Sequence, residues 1–477
     1  MSNTFYWHDY ETFGTDPSRD RPVQFAGLRT DEALNVIGEP LVVFARPSRD
    51  VLPHPEACLV TGITPQQALR EGLAECEFIA QIHAELSQPG TCGVGYNSIR
   101  FDDEVTRYTL YRNFYDAYAR EWQNGNSRWD IIDMVRLTYA LRPEGIEWPL
   151  GEDGRPSFRL ELLTAANGIG HEAAHDALSD VEATIALARL IREKQPRLFD
   201  YALGLRDKKT VLQQLDIPAM KPVLHVSGMF GADRHNIALI APLAMHPTNK
   251  NEVICYDLAA DPAPLAELDA DALRERLFAR ASDLPEGIER PGIKSIHINR
   301  SPVVMTPKLL DEATAERLQI DVPACRAHRA ALQAIPGLVD KARAIYSDRQ
   351  MPEQTNPDRM LYSGGFFSDT DKRGFEALRR ASPQELREQS FVFEDARIPE
   401  MLFRYRARNF PDSLSPEELA QWEEFRFAWL TDPEAGAGIT LEDYQARIAE
   451  LQADPGLGPE KQRVLEDLLE YGDSLLS

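Results

Sequence analysis

The segment Phe5-Tyr6-Trp7-His8-Asp9-Tyr10-Glu11 runs from aromatic residues into two carboxylates two positions apart. On a strand, residues i and i+2 share a face, so a buried strand of this sequence projects Asp9 and Glu11 together from its end. Two like charges removed side by side from water are costly unless a cation lies between them. The chain therefore builds its sheet around a strand that ends either in a metal site or in a solvated turn. Magnesium and manganese prefer oxygen ligands, and a pair of such ions held by carboxylates stabilises both the attacking and the leaving oxygen of phosphodiester hydrolysis. Two carboxylates do not make such a site alone, and the missing groups have to come from elsewhere in the chain.

At 477 residues, two or three domains are expected. No run approaches the roughly 18 apolar residues of a membrane span. The N-terminus leads straight into the Asp-x-Glu strand with no basic region or cleavage site, so a cytoplasmic protein with no membrane contact is expected. Cys58, Cys76, Cys92, Cys255 and Cys325 are scattered without a Cys-x-x-Cys pair, which argues against structural zinc and a disulfide framework. Cys325 and His328 have a ligand-like spacing, but no second pair joins them, and an amphipathic helix face is the better reading. A net charge of −24 opposes nucleic-acid binding only as an average. An acidic exterior with a basic groove keeps DNA off the outside and focuses it inward.

Further strands are expected at 22–30, 41–45 and 91–97, with helices at 64–71, 77–86, 100–115 and 129–141. A loop rich in Pro and Gly covers 143–156, and a helical pattern resumes at 158–163. Near the start of the 100–115 helix lies Phe101-Asp102-Asp103-Glu104. Adjacent helical positions diverge by about 100°, so one acid faces the sheet; Asp102, directly after Phe101, is the candidate and Asp103 its competitor. His175 and Asp180 are five apart in the stretch before an amphipathic run at 181–191. They converge only if His175 lies in the loop and Asp180 in the first turns of the helix. Alternating runs over 215–306 indicate a small β-rich domain with an acidic helix at 268–280, and the pattern from 416 onward is helical.

Strand-end Asp-x-Glu, an Asp at a helix start and His-x4-Asp before a later helix together resemble the DEDDh 3′–5′ exonuclease superfamily. The closer likeness is to the bacterial exodeoxyribonuclease I family, through His8-Asp9-Tyr10-Glu11-Thr12-Phe13-Gly14, the segment Gly95 to Arg107, Ser157-Phe158-Arg159-Leu160-Glu161 and His175-Asp176-Ala177. His225-Val226-Ser227-Gly228-Met229-Phe230-Gly231, Leu361-Tyr362-Ser363-Gly364-Gly365-Phe366-Phe367 and Tyr405-Arg406-Ala407-Arg408-Asn409 extend it over nearly the whole chain. The resemblance implies an α/β ribonuclease-H-like exonuclease domain over 1–195, an SH3-like β-rich domain over 196–348 and an all-helical C-terminal domain over 349–477.

The resemblance also implies a single-strand-specific 3′–5′ exodeoxyribonuclease that releases nucleoside 5′-monophosphates and acts in DNA repair and recombination. Asp9, Glu11, Asp102 and Asp180 would hold two Mg2+ ions, with Mn2+ as a substitute, and His175 would be the general base. His171 is the nearest rival but falls outside the family motif. The main chain around Thr12 and Phe13, with Glu11, is the candidate site for the 3′ nucleotide, and Arg159 a phosphate contact. Arg107, Tyr118, Trp122, Arg136 and Tyr362 combine charge and aromatic faces, as single-strand grooves do. The family docks the C-terminal tail of single-strand DNA-binding protein, and Arg142, Tyr201 and Lys221 are the corresponding candidates. Arg326 and Gln333 depart from the apolar and basic residues expected beside that pocket. A monomer is expected. The alternatives are a DEDDh exoribonuclease and a non-catalytic single-strand-binding module.

Overall fold

The computed structural model describes residues 3–171, 175–347 and 353–476. Strand β1 (Thr4–Thr12) is the middle strand of a mixed sheet with β2 (Pro22–Thr30), β3 (Leu41–Phe44), β4 (Thr91–Gly95) and β5 (Ser127–Asp130), in the order β3-β2-β1-β4-β5. β1 is antiparallel to β2 along almost its full length, but its parallel pairing with β4 runs only from Thr4 to Trp7. Beyond Trp7 the β4 side of β1 is open to groups other than a strand. Gly95 closes β4 where a Cβ would lie 2.5 Å from that of Ser98 and 3.1 Å from the His8 carbonyl oxygen, so the chain can turn tightly beside β1 only without a side chain there.

Helices α1 (Pro55–Thr61), α2 (Pro65–Glu71), α3 (Glu75–Leu86), α4 (Asp102–Arg112), α5 (Ile132–Leu141), α6 (Leu160–Ala166) and α7 (Ala177–Lys194) follow in chain order. Tyr6, Tyr10 and Phe25 form a buried cluster with Phe78, Ile79 and Ile82 of α3 and Val105 and Leu110 of α4. Packing on that face fixes where α4 begins relative to the end of β1. The helix expected at 129–141 divides: Trp129, 2% exposed, belongs to β5, and the helix starts at Ile132. Asp130 is the punctuation between them, because its carboxylate accepts the Ile132 N–H (3.0 Å). The helix expected at 100–115 is likewise shorter: a 3-10 turn at Ser98–Arg100 precedes it, and Phe114 with φ 59° lies beyond its end.

The chain forms two compact units. One comprises Met1–Ser127, His171–Ile185 and Glu353–Ser477. In it, Phe13, Val23 and Val51 share a core with Leu441, Tyr444, Leu465 and Leu468 of two C-terminal helices, Leu441–Gln452 and Pro459–Leu475. The other comprises Arg128–Gly170 and Ala186–Pro352. It contains an antiparallel sheet of β6 (Val223–Val226), β7 (Ile237–Met245), β8 (Glu252–Asp257), β9 (Ile293–His297) and β10 (Val303–Met305), ordered β10-β6-β7-β8-β9. The acidic helix expected there spans Ala270–Phe278. Cys325 is buried, and the His328 Nδ1 lies 2.8 Å from the Leu258 carbonyl oxygen. Among the described residues no helix is long and apolar enough to cross a membrane.

Candidate active site

The open edge of β1 is where the acids gather. Alternation along the strand turns Tyr6, His8 and Tyr10 to the α3–α4 side and leaves Asp9 and Glu11 on the opposite face. The Tyr10 N–H, on the stretch past the β4 pairing, donates to Asp102 Oδ1 (3.1 Å). A backbone donor that a sheet would ordinarily satisfy thus fixes a carboxylate from the first turn of α4. Asp103 goes elsewhere: its Oδ1 accepts from Arg120 Nη2 (2.7 Å), and both side chains are almost fully buried. One of the two adjacent acids belongs to the strand end, the other to an internal ion pair.

His175 lies in the turn before α7, in a left-handed backbone conformation (φ 68°), and Asp180 lies in the first turn of α7. Glu11, His175 and Asp180 each present a ligand atom within 4.8 Å of the others. His171 Nε2 lies 2.5 Å from Asp180 Oδ1, with the histidine side chain only 4% exposed. The sequence signal for His171 is a second histidine in the same short stretch, and the contact ties it to Asp180. Gln24 of β2 also enters this region, through hydrogen bonds to Asp176 and Ala177.

The electrostatics follow from burial and crowding. Burial raises the Asp9 carboxyl well above the usual range, and Asp102, Glu11 and Asp180 push in the same direction. Glu11 is pushed up to about 8 by burial and then by Asp180, Asp102 and Asp176. Asp180 is also raised, by burial, against the opposing pull of its bond to His171 and the charges of His171 and His175. Carboxyls raised by burial and, for Asp9 and Glu11, further by neighbouring acids are a set that a bound cation relieves. The donors are oxygens plus one imidazole, which suits a divalent metal ion.

The expected substrate contacts are distributed unevenly. Arg107 is 5% exposed, and its guanidinium donates to Glu121 Oε1 and Oε2 (2.7 Å each), Glu104 Oε1 (2.7 Å) and the Tyr362 hydroxyl (2.9 Å). The guanidinium lies over the Tyr118 ring, 5.3 Å from its centroid, and the Tyr118 ring is 6.4 Å from that of Tyr362. Tyr362, Phe366 and Trp122 are 52%, 84% and 65% exposed, so the aromatic faces, rather than the arginine, reach solvent. Phe13 is buried, its N–H donates to the Arg21 carbonyl (2.9 Å) and its carbonyl accepts from the His54 N–H (2.8 Å). The Thr12 hydroxyl donates to the Gly14 carbonyl (2.6 Å).

In the second unit, Arg136 pairs with Asp133 (2.7 Å) and Arg159 with Glu161 (2.5 Å), the latter with 70% of its side chain exposed. The Tyr201 hydroxyl donates to the Val304 carbonyl (2.7 Å), and Arg142 and Lys221 are exposed. Arg326 and Gln333 are exposed seven positions apart on the helix Val322–Ala334. Arg329 on the same helix donates to the carbonyls of Ala219 and Met220 (2.8 Å each), just before Lys221.

Residues 6–188 match the Exonuclease family model, 206–348 the Exonuclease I SH3-like domain and 355–475 the Exonuclease I C-terminal domain. The chain is 47% identical to the exodeoxyribonuclease I of Escherichia coli K12 over 477 residues, covering 100% of this chain and 99% of that one. The chain belongs to the exodeoxyribonuclease I family. Membership makes it a 3′–5′ exodeoxyribonuclease with a mixed-sheet exonuclease domain, an SH3-like antiparallel domain and a helical C-terminal domain. The Exonuclease I of Methylocaldum szegediense is similar in structure, with a TM-score of 0.95 and 54% identity over 100% of both chains. The zinc-bound E. coli ExoI–ssDNA complex gives a TM-score of 0.95 with 47% identity over 100% of both chains. That structure is a zinc-bound form, and Glu11, His175 and Asp180 are a candidate metal site in this chain.

Proposed function

We propose that this exodeoxyribonuclease I hydrolyses the terminal phosphodiester at the 3′ end of single-stranded DNA and releases nucleoside 5′-monophosphates one at a time. Its place is in DNA repair and recombination, as a cytoplasmic monomer. Asp9, Glu11, Asp102 and Asp180 hold two Mg2+ ions, with Mn2+ as the substitute. Bound there, the ions supply a more acidic water and neutralise the charge that builds on the leaving 3′ oxygen. His175 accepts the proton of the attacking water on an imidazole nitrogen. His171 keeps the Asp180 carboxylate in one orientation, as outer partners of metal ligands do. The observation that carries this reading is the convergence of Glu11, His175 and Asp180, whose ligand atoms lie within 4.8 Å of one another, at the end of the strand that also carries Asp9.

The working parts are an exonuclease domain over 1–195, an SH3-like domain over 196–348 and a helical domain over 349–477. Thr12, Phe13 and Glu11 border the 3′ nucleotide, while Tyr118, Trp122 and Tyr362 offer faces on which bases stack. Arg107 links two of these rings, lying over the face of Tyr118 and donating to the Tyr362 hydroxyl. Arg136 and Arg159 contact phosphates. Arg142, Tyr201 and Lys221 receive the acidic tail of single-strand DNA-binding protein; a tail peptide that fails to bind at micromolar concentration removes that partner.

Nucleotide release from matched 3′-labelled DNA and RNA single strands with Mg2+ tests the reading, with His175→Ala and Asp180→Ala beside the wild type. The expected result is metal-dependent mononucleotide release from DNA, poor release from RNA and large losses in both variants. Equal or better release from RNA would assign the site to an exoribonuclease, and no release from either strand would leave a binding protein.

A further inference from the structure

Gln24 lies on β2 directly across from Glu11 in the antiparallel register, and it is only 4% exposed. A buried amide is costly unless both of its ends are bonded. Both ends of Gln24 engage one short segment: Nε2 donates to Asp176 Oδ1 (3.2 Å), and Oε1 accepts from the Ala177 N–H (3.3 Å). The other Asp176 oxygen accepts from the Ser179 N–H (3.2 Å), so the same carboxylate also opens α7. The residue immediately before this tethered pair is His175, exposed and in a left-handed backbone conformation. A non-glycine residue keeps that conformation where its surroundings over-determine it. On the chain side of His175, the Gln24 amide is such a determinant, and it is anchored to the strand paired with the one that carries Asp9 and Glu11.

We propose that Gln24 is a positioning residue for catalysis, clamping the Asp176–Ala177 peptide to the sheet so that the His175 imidazole stays within reach of Glu11 and Asp180. This rests on His175 being the general base. The clamp works through polarity as well as shape. Its donor faces a carboxylate and its acceptor faces a backbone N–H, an arrangement that only a correctly oriented amide completes. A displacement of about 1 Å in a group that moves a proton is enough to cost roughly a hundredfold in rate. Substrate contacts lie on other residues, so loss of the clamp falls on the chemical step and not on DNA affinity.

The test is single-turnover hydrolysis of a 3′-labelled DNA single strand with Mg2+, together with the Kd for the same strand, in the full-length chain. Gln24→Ala is expected to lower the rate constant roughly tenfold to a hundredfold with Kd changed less than about twofold. In a His175→Ala background the same substitution should change the rate by less than about twofold, because the group it positions is gone. Gln24→Glu sets a carboxylate against Asp176 and should lose at least as much as Gln24→Ala. Adding Asp176→Asn to Gln24→Glu restores the bond with its polarity reversed and should recover most of the rate, which also guards against a fold that Gln24→Ala disturbs. A wild-type rate in Gln24→Ala, an equal loss with and without His175, or a swapped pair that recovers nothing overturns the proposal. A wild type inactive on every DNA strand would instead overturn the functional reading beneath it.

Discussion

Two groups of buried acids in the same compact unit meet opposite electrostatic fates. Asp50 and Asp358 are 3% and 5% exposed, and Arg408 bridges them with contacts of 2.8 Å to each, while Arg404 adds a contact of 3.1 Å to Asp358. Burial alone would raise both carboxyls, but the guanidiniums outweigh it: Asp358 is drawn down to about 2, and Asp50 is lowered as well. At the end of β1 burial has the same sign and the neighbouring carboxylates reinforce it, so Glu11 rises to about 8. Where the cation is built in, the acid is a structural part. Where the neighbouring charges are other acids, a bound cation would relieve them, and that cluster is the one proposed as the active site.

The largest effect that could break this contrast is catalytic. His175→Ala is expected to lower kcat by roughly a hundredfold to ten-thousandfold, whereas Asp358→Asn, assayed below its melting temperature, should leave kcat near wild type. Comparable kinetic losses in both would erase the distinction between the clusters.

Stability gives the next effect, with opposite signs. Asp358→Asn leaves Arg404 and Arg408 short of a buried partner and should cost about 3–5 kcal/mol in urea unfolding. Asp9→Asn removes a repelled charge and should leave the metal-free protein as stable or more stable, with the gain larger at higher pH.

The pH dependence sharpens this further. Between the ordinary glutamate value of 4.5 and the folded value of about 8 for Glu11, the folded metal-free state binds more protons than the unfolded chain. Stability therefore falls as pH rises through that window. A bound divalent ion removes the penalty and itself competes with protons. The rise in Tm on adding Mg2+ should consequently be greater at pH 8 than at pH 6, and an increment that shrinks with pH would contradict the assignment. The smallest expected effect is on DNA affinity. Tyr362→Ala should weaken single-strand binding by about 1 kcal/mol, the low end for loss of one stacking face, with kcat little changed.

Much of the candidate site's geometry is legible in the sequence because its spacings are tied to single elements. Asp9 and Glu11 share a face on any strand, and the five-residue gap from His175 to Asp180 makes sense only across a loop-to-helix junction, which is where α7 begins. The separation of Asp102 from Asp103 depends on Arg120, seventeen positions beyond Asp103, and no local pattern announces an ion pair formed in three dimensions. Trp129 reads as helical in sequence because β5 is only four residues long and runs into a helical pattern; the available signal is Asp130, a turn-forming acid whose carboxylate accepts the Ile132 N–H. Arg107 reads in sequence as a charged member of a single-strand groove, and what no local pattern announces is that Glu104, Glu121 and Tyr362 engage its guanidinium inside the protein. Gln24 and His171 carry no sequence motif of their own, since each matters through the residue it bonds.

The most direct measurement is calorimetric titration of the metal-free protein with Mn2+ at pH 7.5 for wild type, Asp9→Asn and Asp358→Asn. Two ions per chain are expected in wild type and Asp358→Asn, with loss of at least one in Asp9→Asn. An Asp9→Asn isotherm identical to wild type, or a wild type that binds none, would contradict the metal assignment.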